Sequence, residues 1–108
     1  MLRWHRALLG DKILSGASRE LLFSAHVPED ADGVYHYGYG WSVVPNYDGK
    51  KLVWHNGGGY FSRAELWRFP EDGTAFFVAT HDPRVEPYKI ADGLALILHG
   101  KTPEPVTP

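Results

Sequence analysis

His55-Asn56-Gly57-Gly58-Gly59 is the stretch whose reading decides the fold. A short apolar run, Leu52-Val53-Trp54, precedes it, and an alternating stretch from Phe61 to Phe69 follows it. Glycine admits backbone angles that other residues avoid and lets backbone N–H groups come close to another atom. A histidine at a strand end followed by bare N–H groups is a place where an oxyanion could be held. The plainer reading is a glycine-rich turn with one ordinary histidine.

Outward from this stretch the sequence has a period of two. Tyr35, Tyr37, Tyr39, Trp41 and Val43 alternate with His36, Gly38, Gly40, Ser42 and Val44, which predicts a strand over 35–44. Asn46-Tyr47-Asp48-Gly49 carries an Asp-Gly turn signal leading into a returning strand over 51–56. A third strand is expected over 61–69. Pro70-Glu71-Asp72-Gly73 is a tight turn, and a nearly continuous apolar strand covers 74–81. The fold class expected is α+β, a four-stranded antiparallel meander. Ile90, Leu94, Ile97 and Leu98 recur at helical spacing, so a C-terminal amphipathic helix over 86–99 is expected to pack that stripe on one face of the sheet. Pro87 suits its first turn and Gly100 its end. Short N-terminal helices are expected at residues 2–9 and after a Ser15 or Ser18 cap, with an acidic loop from Val27 to Gly33.

The chain has 108 residues, which suits a single domain at 1–100 and an extended Pro-rich tail at 101–108. Hydrophobic residues make up 44% and aromatic residues 14%, a globular composition. The formal net charge is -2 with the signs interspersed, which argues against a nucleic-acid groove or a polybasic membrane patch. There is no cysteine, so no disulfide framework and no thiolate zinc site. No apolar run approaches a membrane span, and the start has no signal-peptide pattern, so the default expectation is cytoplasmic.

The order of parts resembles the C-terminal part of the serine β-lactamase, penicillin-binding-protein and esterase family, in its class C-like branch. The residues that carry the resemblance are Tyr37-Gly38-Tyr39-Gly40-Trp41, the strand ending in His55-Asn56-Gly57-Gly58, the Pro70-to-Gly73 turn and the closing helix. The resemblance implies that His55-Asn56-Gly57 is the family's third motif. His55 would anchor substrate, and the N–H of Gly58 would be one oxyanion donor. Gly57 completes the motif, and Asn56, Gly59 and Tyr60 would line the substrate side. Trp41 would be structural. Two departures stand out: the loop Gly59-Tyr60-Phe61 is short for the family, and Thr80-His81-Asp82 stands where its last strand commonly ends in Asn.

The family's nucleophile lies in Ser-x-x-Lys. The serines here are followed three residues later by Ser18, Leu21, Val27, Pro45 and Glu65, never by lysine. Tyr60-Phe61-Ser62 matches the family's second motif in letters only, since it follows the third. Without an activated serine there is no acyl-enzyme, so the resemblance implies roughly the last quarter to third of a hydrolase, not catalytic alone. Its partner would be a second copy, paired through the uncharged strand Thr74–Thr80, or a complementing N-terminal half. The alternative is a stand-alone binding or structural module, dimeric through its sheet.

Three rival constellations are weaker. A triad of Ser62, His55 and Asp82 lacks a nucleophile elbow. Six histidines, His5, His26, His36, His55, His81 and His99, show no metal-ligand spacing, so no metal and no cofactor is expected. The Tyr35/Tyr37/Tyr39/Trp41 stripe could be a sugar- or peptide-binding platform, but such stripes are more often covered sheet faces.

Overall fold

A computed structural model describes residues 1–107. Its elements in chain order are α1 (Leu2–Ala7), α2 (Gly16–Leu22), β1 (Val27–Pro28), β2 (His36–Tyr37), β3 (Ser42–Tyr47), β4 (Lys50–Gly58), β5 (Arg63–Phe69), β6 (Thr74–Thr80) and α3 (Pro87–Leu98). The fold is α+β. The strands form one antiparallel sheet in the order β1-β2-β3-β4-β5-β6, a meander throughout. The sheet has six strands, not the four expected. The additional pair comes from two local effects.

The first is a break in the stretch read as one strand over 35–44. Gly40 has φ +80, and the N–H of Gly38 donates to the carbonyl of Trp41 at 2.7 Å, closing a turn inside the run. What alternates in sequence is therefore two strands, β2 and β3, with β2 still paired to β3 through His36–Val43 and Tyr37–Ser42. The tyrosine stripe is not one face: Trp41 is buried, while Tyr35 and Tyr39 are exposed. The second effect lies in the segment read as an acidic loop. Val27 and Pro28 pair with Tyr37 and His36, which is tolerable for proline at a sheet edge. Asp30 is more than a solvated charge, because its Oδ1 accepts from the N–H groups of Val34 and Tyr35, both at 3.0 Å.

The turns follow their residues. Asp48 (φ 51) and Gly49 (φ 84) are both left-handed, the two-residue hairpin geometry whose twist matches the flanking strands. Beside it, Val44–Leu52 and Tyr47–Lys50 are paired, so β3 holds one more residue than β4 in that interval. That bulge contains Pro45, which has no N–H to give the ladder. α2 begins at Ser15, whose Oγ accepts from the N–H of Ser18 at 3.2 Å.

The chain divides into two compact units. The first comprises Met1–His55 and Arg68–Ala75. Its buried side chains include Leu8, Phe23, Trp41, Val43, Val53 and Phe69, together with the polar pair His5 and Arg68. Gly38 shows how tightly α2 meets the sheet segment. A Cβ there would stand 2.7 Å from the carbonyl oxygen of Leu22 and 2.9 Å from that of Ser24, both backbone atoms. Gly38→Ala is therefore expected to lower stability by about 2 kcal/mol through overpacking, read as a lower urea midpoint with an unchanged slope.

The second unit comprises Asn56–Trp67 and the chain from Phe76 onward. Here α3 departs from expectation. Its buried residues are Pro87, Ala91 and Ala95, whereas Leu94, Ile97 and Leu98 are exposed. Small side chains one turn apart let a helix approach its support closely, and here the bulkier apolar residues are left outside. The helix ends as Gly100 (φ +75) predicts. Its N–H donates to Ile97 and that of Lys101 to Leu96, at 3.0 and 2.8 Å. Residues 101–107 of the tail have no regular structure, but Pro103 lies against Gly93, and Pro108 lies outside the described residues.

Candidate functional site

β4 carries His55, Asn56, Gly57 and Gly58 as its last residues, all solvent-exposed. The expected turn of three glycines is not what forms. Gly57 and Gly58 are extended strand residues, and none of the three glycines has a positive φ. Crowding does not demand them either. A Cβ on Gly57 or Gly59 would meet nothing within 4 Å, and one on Gly58 would meet only ordinary contacts, the nearest at 3.8 Å. What glycine contributes here is an uncovered strand end, open to close approach by another molecule. The hairpin then closes over Gly59–Ser62, with the N–H of Gly59 donating to the carbonyl of Ser62 at 2.8 Å.

His55 lies in the first unit and faces Tyr37. The Tyr37 hydroxyl and His55 Nε2 are 3.0 Å apart, a hydrogen bond in which the two atoms can exchange donor and acceptor roles. The rings meet edge-on, with centroids 6.1 Å apart. Tyr37 was legible in the sequence only as part of the aromatic-glycine run. Its contact with His55 depends on the break at Gly38–Gly40, which the period-two reading missed.

Asn56, Gly57, Gly58 and Gly59 lie in the second unit. They line a groove of about 340 Å3 with Arg63, Glu65, Glu86 and Tyr88. The groove mixes donors, bare backbone and charges of both signs. Glu65 is 6% exposed, and its Oε2 accepts from the Trp67 indole N–H at 3.1 Å. A carboxylate held so deep beside a glycine strand was not singled out in the sequence. Its signal is the alternation Arg63, Glu65, Trp67, Phe69 along β5. Lys89 pairs with Glu86 at the groove's edge and holds its carboxyl below the usual carboxylate range.

Tyr60 is not in this groove. It stands 97% exposed at the hairpin tip, next to Phe61, 84% exposed, beside a much smaller hollow that includes Gly59 and Asp82. The rival acid, Asp82, is occupied. Its carboxylate accepts from Arg84 Nε at 3.0 Å and from Nη2 at 2.7 Å, and this pulls its pKa down to about 2. Among the described residues no three His, Cys, Asp or Glu side chains gather as a metal site requires. No helix among them is long and apolar enough to cross a membrane.

The fold has a counterpart among solved structures. The chain is similar to the octameric penicillin-binding protein homologue from Pyrococcus abyssi. The two share 26% identity with a TM-score of 0.83 over 98% of this chain, and the chain spans 25% of the length of that protein. No family model and no curated protein matches. A relation to penicillin-binding-protein-like proteins, which the order of motifs implied, is thus shown by the fold.

Proposed function

We propose that this chain is the C-terminal portion of a β-lactamase-like serine hydrolase fold of the class C-like branch. In this reading His55-Asn56-Gly57 is the third motif and Gly58 N–H an oxyanion-type donor. His55 is steadied by Tyr37, and Asn56, Gly59 and Tyr60 lie on the substrate side. The observation that carries the reading is the likeness to a penicillin-binding protein homologue over nearly the whole chain but only a quarter of the homologue. The bare glycine end of β4 supports it, because nothing within the chain calls for glycine there.

The chemistry sets the limit on activity. A backbone donor stabilises charge only where a nucleophile generates it, and no serine in these 108 residues has a lysine three positions on. The chain alone is expected to turn over neither a chromogenic cephalosporin nor a p-nitrophenyl ester above the buffer rate, and His55→Ala should leave that rate unchanged. Turnover above buffer that the substitution abolishes would overturn the reading.

A second reading concerns partners. β6 ends the sheet, and Phe77 on it is 50% exposed. α3 shows Leu94, Ile97 and Leu98 to solvent. Surfaces of this kind are covered either by the rest of a hydrolase fold or by a second copy. The homologue's octameric assembly supports self-association, and a twofold dimer through β6 is the form proposed here.

A further inference from the structure

The N-terminal helix is held by an unusual polar contact in the core of the first unit. His5 is 3% exposed and Arg68 is fully buried. The guanidinium of Arg68 lies over the rings of Phe23 and Trp41, 4.7 and 5.2 Å from their centroids. Arg68 Nε donates to His5 Nδ1 at 3.0 Å, and His5 Nε2 lies 3.0 Å from the carbonyl oxygen of Gly73 in the β5–β6 turn.

These contacts dictate a protonation state. An arginine N–H is only a donor, so His5 Nδ1 must carry a free lone pair. A carbonyl is only an acceptor, so Nε2 must carry the proton. The ring is therefore neutral, in the Nε2–H form. A second proton could go only to Nδ1, which would set donor against donor and cation against cation at 3.0 Å in a buried site.

We propose that His5 is an acid-operated latch: neutral, it pins helix α1 over the cluster of Phe23, Trp41 and Arg68, and protonated, it releases that helix. Within the helix itself no other residue is buried. Leu8 just beyond is the next, while Leu2 and Trp4 are about half exposed. Both charged groups acting on His5 are cations, Arg68 from β5 and Arg6 from its own helix. Only the Gly73 carbonyl favours the charged form, and burial, the largest influence, opposes it, so the His5 pKa lies below its ordinary 6.5. The sign follows. Above 6.5 the ring is neutral whether the helix is docked or free, and the latch is fully closed. As pH falls below 6.5 the undocked state takes the proton first, and docking weakens progressively toward the lower docked pKa. Release uncovers a guanidinium that packs over the Phe23 and Trp41 rings, with Nη1 and Nη2 not hydrogen-bonded in the docked state.

The test is amide hydrogen exchange of the whole chain at pH 7.5 and 5.5, corrected for intrinsic rates. Protection over residues 2–9 should fall at the lower pH, by at most about tenfold one unit below the free-histidine value, while β3 and β4 keep theirs. In His5→Gln, which retains a donor and an acceptor but takes no proton, the fall should vanish. Equal loss in both proteins, or none in the unmodified chain, would overturn the latch. If the variant does not fold, nitrogen NMR of His5 in the unmodified chain decides. A neutral Nε2–H ring above pH 7 that becomes charged together with the loss of α1 protection supports it. An Nδ1–H or charged ring at pH 7.5, or a ring that charges with α1 still protected, refutes it.

Discussion

Arg68→Ala should be the most destabilising single substitution in the chain, costing about 3–4 kcal/mol, within the range for emptying a large buried site. Arg68 is the largest fully buried side chain. Alanine would remove the guanidinium that lies over both the Phe23 and Trp41 rings and leave His5 Nδ1 without its donor. Arg68→Met separates packing from charge. Methionine fills much of the same volume, and it removes two buried N–H-bearing nitrogens that have no hydrogen-bond partner. Its cost should be under about 1.5 kcal/mol, as for a volume-conserving core change. Urea unfolding of the two variants checks this. Equal losses for alanine and methionine would mean that the charge and its bond to His5, not the packing, hold the site. The Arg68 pKa, lowered to about 10 by burial, keeps the side chain charged at neutral pH, so the comparison is of a cation with a neutral residue.

How far the fold was legible follows from which forces act locally. The Asp48-Gly49 hairpin, the Ser15 cap, Pro87 at the start of α3 and the Gly100 stop were all readable, because each depends on the conformational limits of one or two residues. The strands β4, β5 and β6 came within a few residues for the same reason. Three features were not readable. The break between β2 and β3 rests on the turn closed by Gly40 and by the Gly38-to-Trp41 hydrogen bond, at a place where the backbone of Leu22 and Ser24 leaves no room for a side chain on Gly38, and no period-two pattern contains that. The buried face of α3 was misjudged because spacing identifies a stripe of large apolar residues, whereas close packing chose Ala91 and Ala95. The Arg68–His5 pair spans 63 positions, and a sequence pattern offers only an arginine in an aromatic strand. At the site, His55 to Gly59 stood out from composition, but their division was invisible: His55 against Tyr37, and Asn56 to Gly59 along a groove with Glu65.

Phe77→Lys is expected to convert a dimer into a monomer, weakening association about a hundredfold, the equivalent of roughly 2–3 kcal/mol for placing a charge in a buried pairing. β6 runs Thr-Ala-Phe-Phe-Val-Ala-Thr, without charge or proline, and it is the last strand of the sheet. Such an edge offers a row of backbone N–H and C=O groups to any extended partner. Antiparallel pairing with the same strand of a second copy satisfies those groups under twofold symmetry, since each contact between residue i of one copy and residue j of the other is then repeated as j with i. Phe77, half exposed on this strand, is the side chain whose cover contributes most, at roughly 25 cal/mol per Å2 of apolar surface. Val78→Lys places its charge on the neighbouring position and should weaken the pairing as well. Leu21→Lys alters a residue just as exposed, 56%, but on α2, and should leave the mass unchanged. Light scattering at tens of micromolar checks all three. A monomer mass for the unmodified chain would remove the dimer and leave the complementing half of a hydrolase fold as the partner that covers this edge.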